Sequence, residues 1–278
     1  MDQRIHTEKT TLDGILHRID KEKIDEFIKF VLCYPRTECK ELKYRLDFLI
    51  KNHYQYLIEY GKRILNYRIL GKGYSSIIVL GYHKYYGLGV LKIRRIDSRR
   101  KSLEHEGIIL DYLDKTLITP NIYQWSKDFI FMEYIDPCKC LSIERYITSL
   151  IEKKNNYSIK IARYVLRRIL IRLYLIDKLG IDHGELNRPY DHLYVCRDNT
   201  TDTMYVKIID WESSRFSLSP KNVTSFTSFI LYRYPLRNVL FENINEEFLE
   251  KTRQVLRVYR KTYSIQELIR LIKLLGLP

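Results

Sequence analysis

The sequence predicts an α+β protein of two lobes, an antiparallel-sheet lobe followed by a mainly helical one, with a helical extension in front. Apolar residues recur at helical spacing up to about residue 62. From Ile64 they fall into short β-branched runs split by glycines, and from Tyr157 to Leu179 helical spacing returns over one long stretch. The expected boundaries are 1–62 for the extension, 63–136 for the first lobe and 137–278 for the second.

Composition narrows the class. A chain of 278 residues, 45% hydrophobic and 29% charged, can bury a full core. No apolar run approaches the roughly 20 residues of a membrane helix, and the opening Met1-Asp2-Gln3-Arg4-Ile5-His6 lacks the apolar core of a signal peptide. The expectation is a cytoplasmic protein with no membrane partner. Five cysteines, odd in number and without the paired spacing of a zinc site, lead us to expect reduced thiols. The formal net charge of +14 would attract RNA, a ribonucleoprotein or an acidic protein. A single alanine, Ala162, amid abundant Ile, Tyr, Lys and Arg equally fits codon bias from an AT-rich genome, so both origins of the charge stay open.

In chain order, Ile24, Phe27, Ile28, Val31 and Leu32 mark a first helix, and Leu42, Leu46, Leu49 and Leu57 continue the pattern beyond Tyr34-Pro35-Arg36. These helices would pack on the back of the next domain or form a small nucleic-acid module. Ile69-Leu70, Ile77–Leu80 and Leu88–Ile93 then read as an antiparallel meander, with Gly71 and Gly73 in its first turn and Lys92 on a strand, on the same face as Val90. Ser98 to Leu113 reads as a helix in which Glu106 precedes Leu110 by four and Leu113 by seven, so it shares the inward stripe and can reach Lys92. Two strands follow Thr119-Pro120-Asn121, the second running from Phe129 to Ile135 into a hinge at Asp136-Pro137. The long helix from Tyr157 delivers the chain to Ile181-Asp182-His183-Gly184-Glu185-Leu186, and Ile208-Ile209-Asp210-Trp211-Glu212 lies about two dozen residues on. Each is a polar cluster at the end of an apolar run, and a carboxylate there must hold a proton, a cation or a metal. Ser264-x-x-Glu267 opens the last helix as a capping box.

A glycine turn, a strand lysine and two carboxylate loops, in that order, are the parts of a phosphoryl-transfer site. Gly71-x-Gly73-x-x-Ser76-x-Ile78, Val90-Leu91-Lys92, Glu106, Met132-Glu133-Tyr134-Ile135, His183-Gly184-Glu185-Leu186 and Asp210-Trp211-Glu212 together resemble the protein-kinase-like fold. The chain resembles the predicted archaeal serine/threonine protein kinase family, related to the RIO kinases, over about residues 64 to 240. The Lys221–Ser225 stretch shares in that resemblance. It implies an ATP site with Mg2+ or Mn2+: Gly71, Gly73 and Ser76 around the phosphates, Ile78 and Val90 on the adenine, Met132 as gatekeeper, and Glu133 and Ile135 offering backbone groups. It implies further that Lys92 and Glu106 form the phosphate-positioning ion pair, that Asp210 holds metal, and that Glu185 stands in the place of the catalytic aspartate.

The departures bear on mechanism. Ser76 replaces a third loop glycine, Glu185 is one methylene longer than aspartate, and five residues on, where a metal-binding Asn is expected, stands Tyr190. His192, or Asn187 at the wrong spacing, would take that ligand's place, although Mg2+ prefers oxygen. About ten residues separate Glu212 from the Asn222 helix, too few for a long activation segment. The leading expectation is an atypical serine/threonine kinase acting on a protein hydroxyl. The alternatives are an ATP-binding pseudokinase or ATPase-type switch acting on RNA or a ribonucleoprotein, and a small-molecule phosphotransferase, which Trp211-Glu212 favours.

Overall fold

The computed structural model describes all residues except 1–4, 8–9, 199, 202 and 242, with the backbone alone described for 5–7 and 10–12. The chain divides into two compact units, one of residues 1–115 and 120–134, the other of residues 116–119 and 135–278. The architecture is of the α+β class expected: an antiparallel sheet with few helices, then a mainly helical unit.

In the first unit, the hairpin β1 (Ile5–Thr7) and β2 (Thr10–Leu12) precedes β3 (Ile15–Arg18), helices α1 (Glu26–Cys33) and α2 (Leu42–Lys51), and β4 (Tyr54–Glu59). The hairpin β5 (Lys62–Ile64) and β6 (Tyr67–Ile69) leads to β7 (Gly71–Lys72), β8 (Ser76–His83) and β9 (Gly87–Arg94), then α3 (Glu104–Leu113), β10 (Ile122–Trp125) and β11 (Phe129–Met132). The main sheet runs β10-β11-β9-β8-β4-β3, with β7 also on β8, and every pairing is antiparallel. Strand alternation separates its faces. Ile77, Val79, Leu91, Ile93, Phe129 and Phe131 form one core with Phe27, Ile28, Val31 and Leu32 of α1 and Leu46 and Leu49 of α2. The opposite face carries Ile78, Val90, Lys92 and Met132, brought level by the pairings Ile78 with Lys92 and Val90 with Met132.

Residues 1–62 are therefore no separate helical extension. The two helices cover the sheet, as one reading of them required, but β3 and β4 are part of it, β4 lying between β8 and β3. Leu57 continues the helical spacing of Leu42, Leu46 and Leu49, so the pattern runs through a turn that is set by His53 at φ 61, with no glycine or proline to mark it. A buried polar cluster fastens α2 to the sheet. Arg45, fully buried, donates to Leu32 O and faces Asp128 at 3.3 Å, and Asp128 also accepts from Tyr44 and Arg94. Burial opposes the charge on Asp128, yet Tyr44, Arg45 and Arg94 outweigh it and hold the carboxyl below the usual range. Helix α3 starts at Glu104, six residues later than the apolar stripe suggests, because Ser98 and Ser102 accept the backbone N–H groups of Arg100 and Glu104 and hold the chain in turns.

The second unit opens with β12 (Cys140–Ser142), α4 (Ile143–Ile151) and the long α5 (Asn156–Lys178), whose Ala162, Val165, Ile169, Leu173 and Ile176 are buried along one stripe. Asn155 caps α5 by accepting Ser158 N–H at 2.8 Å. Then come β13 (Ile181–Asp182), β14 (Leu193–Arg197), β15 (Met204–Ile208), β16 (Arg215–Phe216), α6 (Asn222–Ser228), α7 (Arg237–Leu240), α8 (Glu246–Thr262) and α9 (Ile265–Leu274). Ser264 caps α9 by accepting Glu267 N–H at 3.2 Å, the predicted capping contact. Cys140 and Cys196 face each other across β12 and β14 and are bonded, as are Cys33 and Cys39, which corrects the expectation of reduced thiols. A strand pairing that brings together residues 56 apart leaves no trace in cysteine spacing. Cys138 is free and exposed. Among the described residues no helix is long and apolar enough to cross a membrane.

Candidate active site

In the first unit the candidate residues lie on the sheet face opposite α1 and α2. Lys92 and Glu106 are each only 3% exposed, and Lys92 Nζ meets both carboxylate oxygens of Glu106 at 2.8 Å. Strand β9 supplies the lysine from a central position, and the apolar stripe of α3, buried through Ile109, Leu110 and Leu113, carries the glutamate inward. Ile78 and Val90 are half-buried beside Lys92, as is Met132 at the end of β11.

The glycine turn is a hairpin between β7 and β8, closed by Gly73 N–H donating to Ser76 O at 2.8 Å. Arg95 anchors it, its Nη1 donating to Gly73 O at 3.2 Å and its N–H to Ser75 O at 2.8 Å. Neither Gly71 nor Gly73 sits at positive φ, and a Cβ at Gly71 would make only ordinary contact with Ile78 at 3.8 Å. These glycines keep the turn open and do not serve to bend it. Ser76 is fully buried, and its carbonyl closes the turn. At the predicted hinge the chain passes from the first unit to the second between Tyr134 and Ile135. Glu133 N–H donates to Asn121 O at 2.8 Å, and Glu133 Oε2 accepts from Asn121 N–H at 3.0 Å. A donor to a nucleobase therefore cannot be the Glu133 amide and would have to come from a position such as Ile135.

In the second unit, β13 pairs with β16 and Asp182 is held by Arg215 at 2.6 Å. The next turn requires glycine: Gly184 has φ +90, and a Cβ there would lie 2.8 Å from Ser213 O. Glu185 is thereby set against Ser213, whose hydroxyl donates to Oε1, while Oε2 lies 3.1 Å from His192 Nε2. A 3-10 turn at Pro189–Asp191 carries the chain round to His192, whose carbonyl accepts Ile209 N–H at 2.9 Å. Asp210 follows in the left-handed region, φ 61 and ψ 69. Glu185, His192 and Asp210 each offer one ligand atom, all within 4.8 Å of one another. The two carboxylates suit Mg2+, whereas the imidazole is a ligand that Mg2+ seldom takes. Asn187, the other predicted ligand, is exposed and lines a cavity of about 460 Å³ with Thr224, Ser228, Tyr232 and Arg233. Trp211 is fully buried, its Nε1–H on Ile208 O at 2.9 Å.

Under this loop sits a polar core that the sequence reading did not single out. Asp177, near the end of α5, accepts at Oδ1 from Asn222 N–H (3.0 Å) and Nδ2 (2.8 Å), and at Oδ2 from Val223 N–H (3.2 Å) and Tyr259 OH (2.8 Å). Asn222 also donates to Ile181 O at 2.6 Å and accepts His183 N–H at 2.9 Å, so it fixes both sides of the turn into Glu185. Burial raises the Asp177 carboxyl to about 6 against those four donors. His183 is fully buried, edge-on to Trp211 at 4.7 Å, and burial pushes its imidazole down to about 4, so it is a neutral packing group. An aspartate beside the apolar stripe of a long helix was the available signal for Asp177. For the contact between Glu185 and His192 it was the proline turn, Pro189–Asp191, within the six residues between them.

No family model matches the sequence, and no curated protein does. Solved structures that are similar include the BubR1 kinase domain, at 13% identity and a TM-score of 0.47 over 81% of this chain and 82% of that one. A Stt7 homolog from Micromonas algae soaked with ATP is 12% identical, with a TM-score of 0.41 over 53% of this chain and 49% of that one. The Rio2 kinase-ADP/Mg2+-phosphoaspartate complex from Chaetomium thermophilum is 18% identical, with a TM-score of 0.41 over 78% and 71%. Likenesses this distant assign neither an activity nor a residue's role.

Proposed function

We propose that this chain is an ATP-dependent phosphotransferase of the protein-kinase-like class, with a serine or threonine hydroxyl of a protein as acceptor. The observation that carries the reading is the buried, two-pronged contact between Lys92 and Glu106. Taking both charges out of water costs several kcal/mol per ion by typical estimates, and packed apolar side chains would serve stability as well. Fixing an ammonium as a point charge for a phosphate gives the pair a reason to be there.

On this reading Ile78, Val90 and Met132 form the apolar bed for the base, and Gly71 and Gly73 leave backbone room beside the phosphates. Asp210, with Glu185 or His192, holds a divalent cation, Mg2+ or Mn2+, which when bound neutralises phosphate charge. Glu185 orients the acceptor hydroxyl, its carboxylate steadied by Ser213. The motif order favours a place beside the RIO-related archaeal serine/threonine kinases. A cytoplasmic location belongs to the same proposal.

One observation favours a second reading, an ATP-binding switch that meets RNA or a ribonucleoprotein through the +14 charge. Both oxygens of Glu185 already face partners, Ser213 and His192, so the base position is occupied. Incubation with γ-labelled ATP and protein, RNA or small-molecule acceptors separates these readings. Label on protein serine or threonine, lost in Lys92→Ala, supports the kinase; label on RNA or a small molecule moves the acceptor class. ATP binding without transfer favours the switch, and absence of ATP binding removes both.

A further inference from the structure

The cluster of Glu185, His192 and Asp210 carries a statement about which metal this site takes. Three segments bring the donors together: the turn after β13, the end of the Pro189–Asp191 turn, and the residue pair after β15. Two of the three are set by backbone that a side chain seldom adopts, Gly184 at φ +90 ahead of Glu185 and Asp210 itself at φ 61. A non-glycine residue held in the left-handed region aims its carboxylate at a cost that the surroundings must sustain. Ser213 occupies Oε1 of Glu185 and leaves Oε2 towards the imidazole. The 3.1 Å between that oxygen and His192 Nε2 is an ion-pair distance that is also compatible with neighbouring ligands on one ion, and all three donor atoms lie within 4.8 Å of one another. Bonds of about 2.1 Å put adjacent donors roughly 3.0 Å apart in an octahedron and about 3.4 Å apart in a tetrahedron.

We infer that Glu185, His192 and Asp210 form a site for a first-row transition-metal dication, with His192 Nε2 as a ligand, and that it prefers such an ion to Mg2+. Two carboxylate oxygens and one imidazole nitrogen are a mixed set of the kind that suits Mn2+, Fe2+ or Zn2+. Mg2+ holds water and oxygen and gains little from a nitrogen. The inference deepens the phosphotransferase reading, naming the ion of that same site, but it is read without nucleotide and so stands or falls separately.

The test uses the full chain with Mn2+ as probe and no ATP, followed by electron paramagnetic resonance. We expect Mn2+ to lose its free-ion signal on binding, to show nitrogen coupling from a coordinated imidazole, and to stay bound in roughly 100-fold excess of Mg2+. His192→Asn, which restores an oxygen donor, should abolish the nitrogen coupling and reduce the preference for Mn2+ over Mg2+ by about tenfold or more. The wild-type spectrum decides the matter even where that variant folds poorly, and Asp210→Asn provides a second variant expected to weaken Mn2+ binding. Absence of Mn2+ binding at millimolar concentration, displacement by equal Mg2+, or bound Mn2+ without nitrogen coupling overturns the inference. Nitrogen-coupled Mn2+ in a chain that transfers no phosphate upholds it and removes the kinase reading alone.

Discussion

Replacing Glu106 by leucine leaves the Lys92 ammonium, 3% exposed, beside an apolar side chain. Breaking a buried ion pair by removing one partner costs about 3–5 kcal/mol, because the remaining charge keeps its desolvation penalty and loses that carboxylate. Lys92→Met leaves a carboxylate that can take up a proton, so its cost should be lower, about 2–4 kcal/mol. The double variant Lys92→Met/Glu106→Leu removes both charges and fills the space, and should return to within about 1–2 kcal/mol of wild type. The two changes are thus strongly non-additive, with a coupling of about 3 kcal/mol or more. Urea unfolding of the four proteins, followed by the fluorescence of Trp125, closes the cycle; that ring lies against α3, where a Cβ at Gly107 would be 2.7 Å from it. The double variant should regain the fold and still fail to bind ATP. Single costs below about 1 kcal/mol that simply add would refute the buried pair as the energetic centre of the first unit.

Asp177 should give stability a pH dependence of unusual sign. Its folded pKa of about 6 lies above the ordinary 3.8, so the folded state holds the extra proton between those values, and its contribution falls as pH rises from about 4 to 6. Thermal melts should show wild type losing about 2 kcal/mol relative to Asp177→Asn between pH 4 and pH 7, and parallel profiles would contradict the assignment. Asn222→Ala deprives His183 N–H and Ile181 O of their partner and should cost about 2–4 kcal/mol in a urea titration, with a value under about 1 kcal/mol excluding it as the brace of the turn. Gly184→Ala sets a methyl 2.8 Å from Ser213 O at φ +90, so a drop in Tm of several degrees or more is expected, and an unchanged Tm would mean that the turn can be relaxed.

The ion pair was legible because each partner obeys a local period. Lys92 alternates with Leu91 and Ile93 on a strand, and Glu106 shares a helical stripe with Leu110 and Leu113. The same alternation set Ile78, Val90 and Met132 on one face. What the sequence hid depends on pairings between distant residues. Strand β4 looks like the tail of α2 until His53 turns the chain, and Cys140 meets Cys196 only through strand register. Asn222 and Asp177 join across 45 residues, and the helical stripe that marks Asp177 says nothing of its partner. His192 seemed displaced by two positions from the expected ligand, and the turn at Pro189 restores it to Asp210. The glycine turn was found for a reason the structure revises, since Gly71 and Gly73 provide room and not an unusual φ.

The proposal that this chain transfers the γ-phosphate of ATP is tested most directly by a single measurement. The rate of γ-phosphate transfer from ATP, with Mg2+ and separately with Mn2+, is compared for wild type, Lys92→Ala in the first unit and Asp210→Ala in the second, each checked for folding by circular dichroism. The account predicts transfer by wild type and a fall of about 100-fold or more in both variants, because on the proposed reading Lys92 positions phosphate and Asp210 holds metal. Equal rates in all three proteins, or a wild type that neither binds ATP nor transfers phosphate, would contradict it.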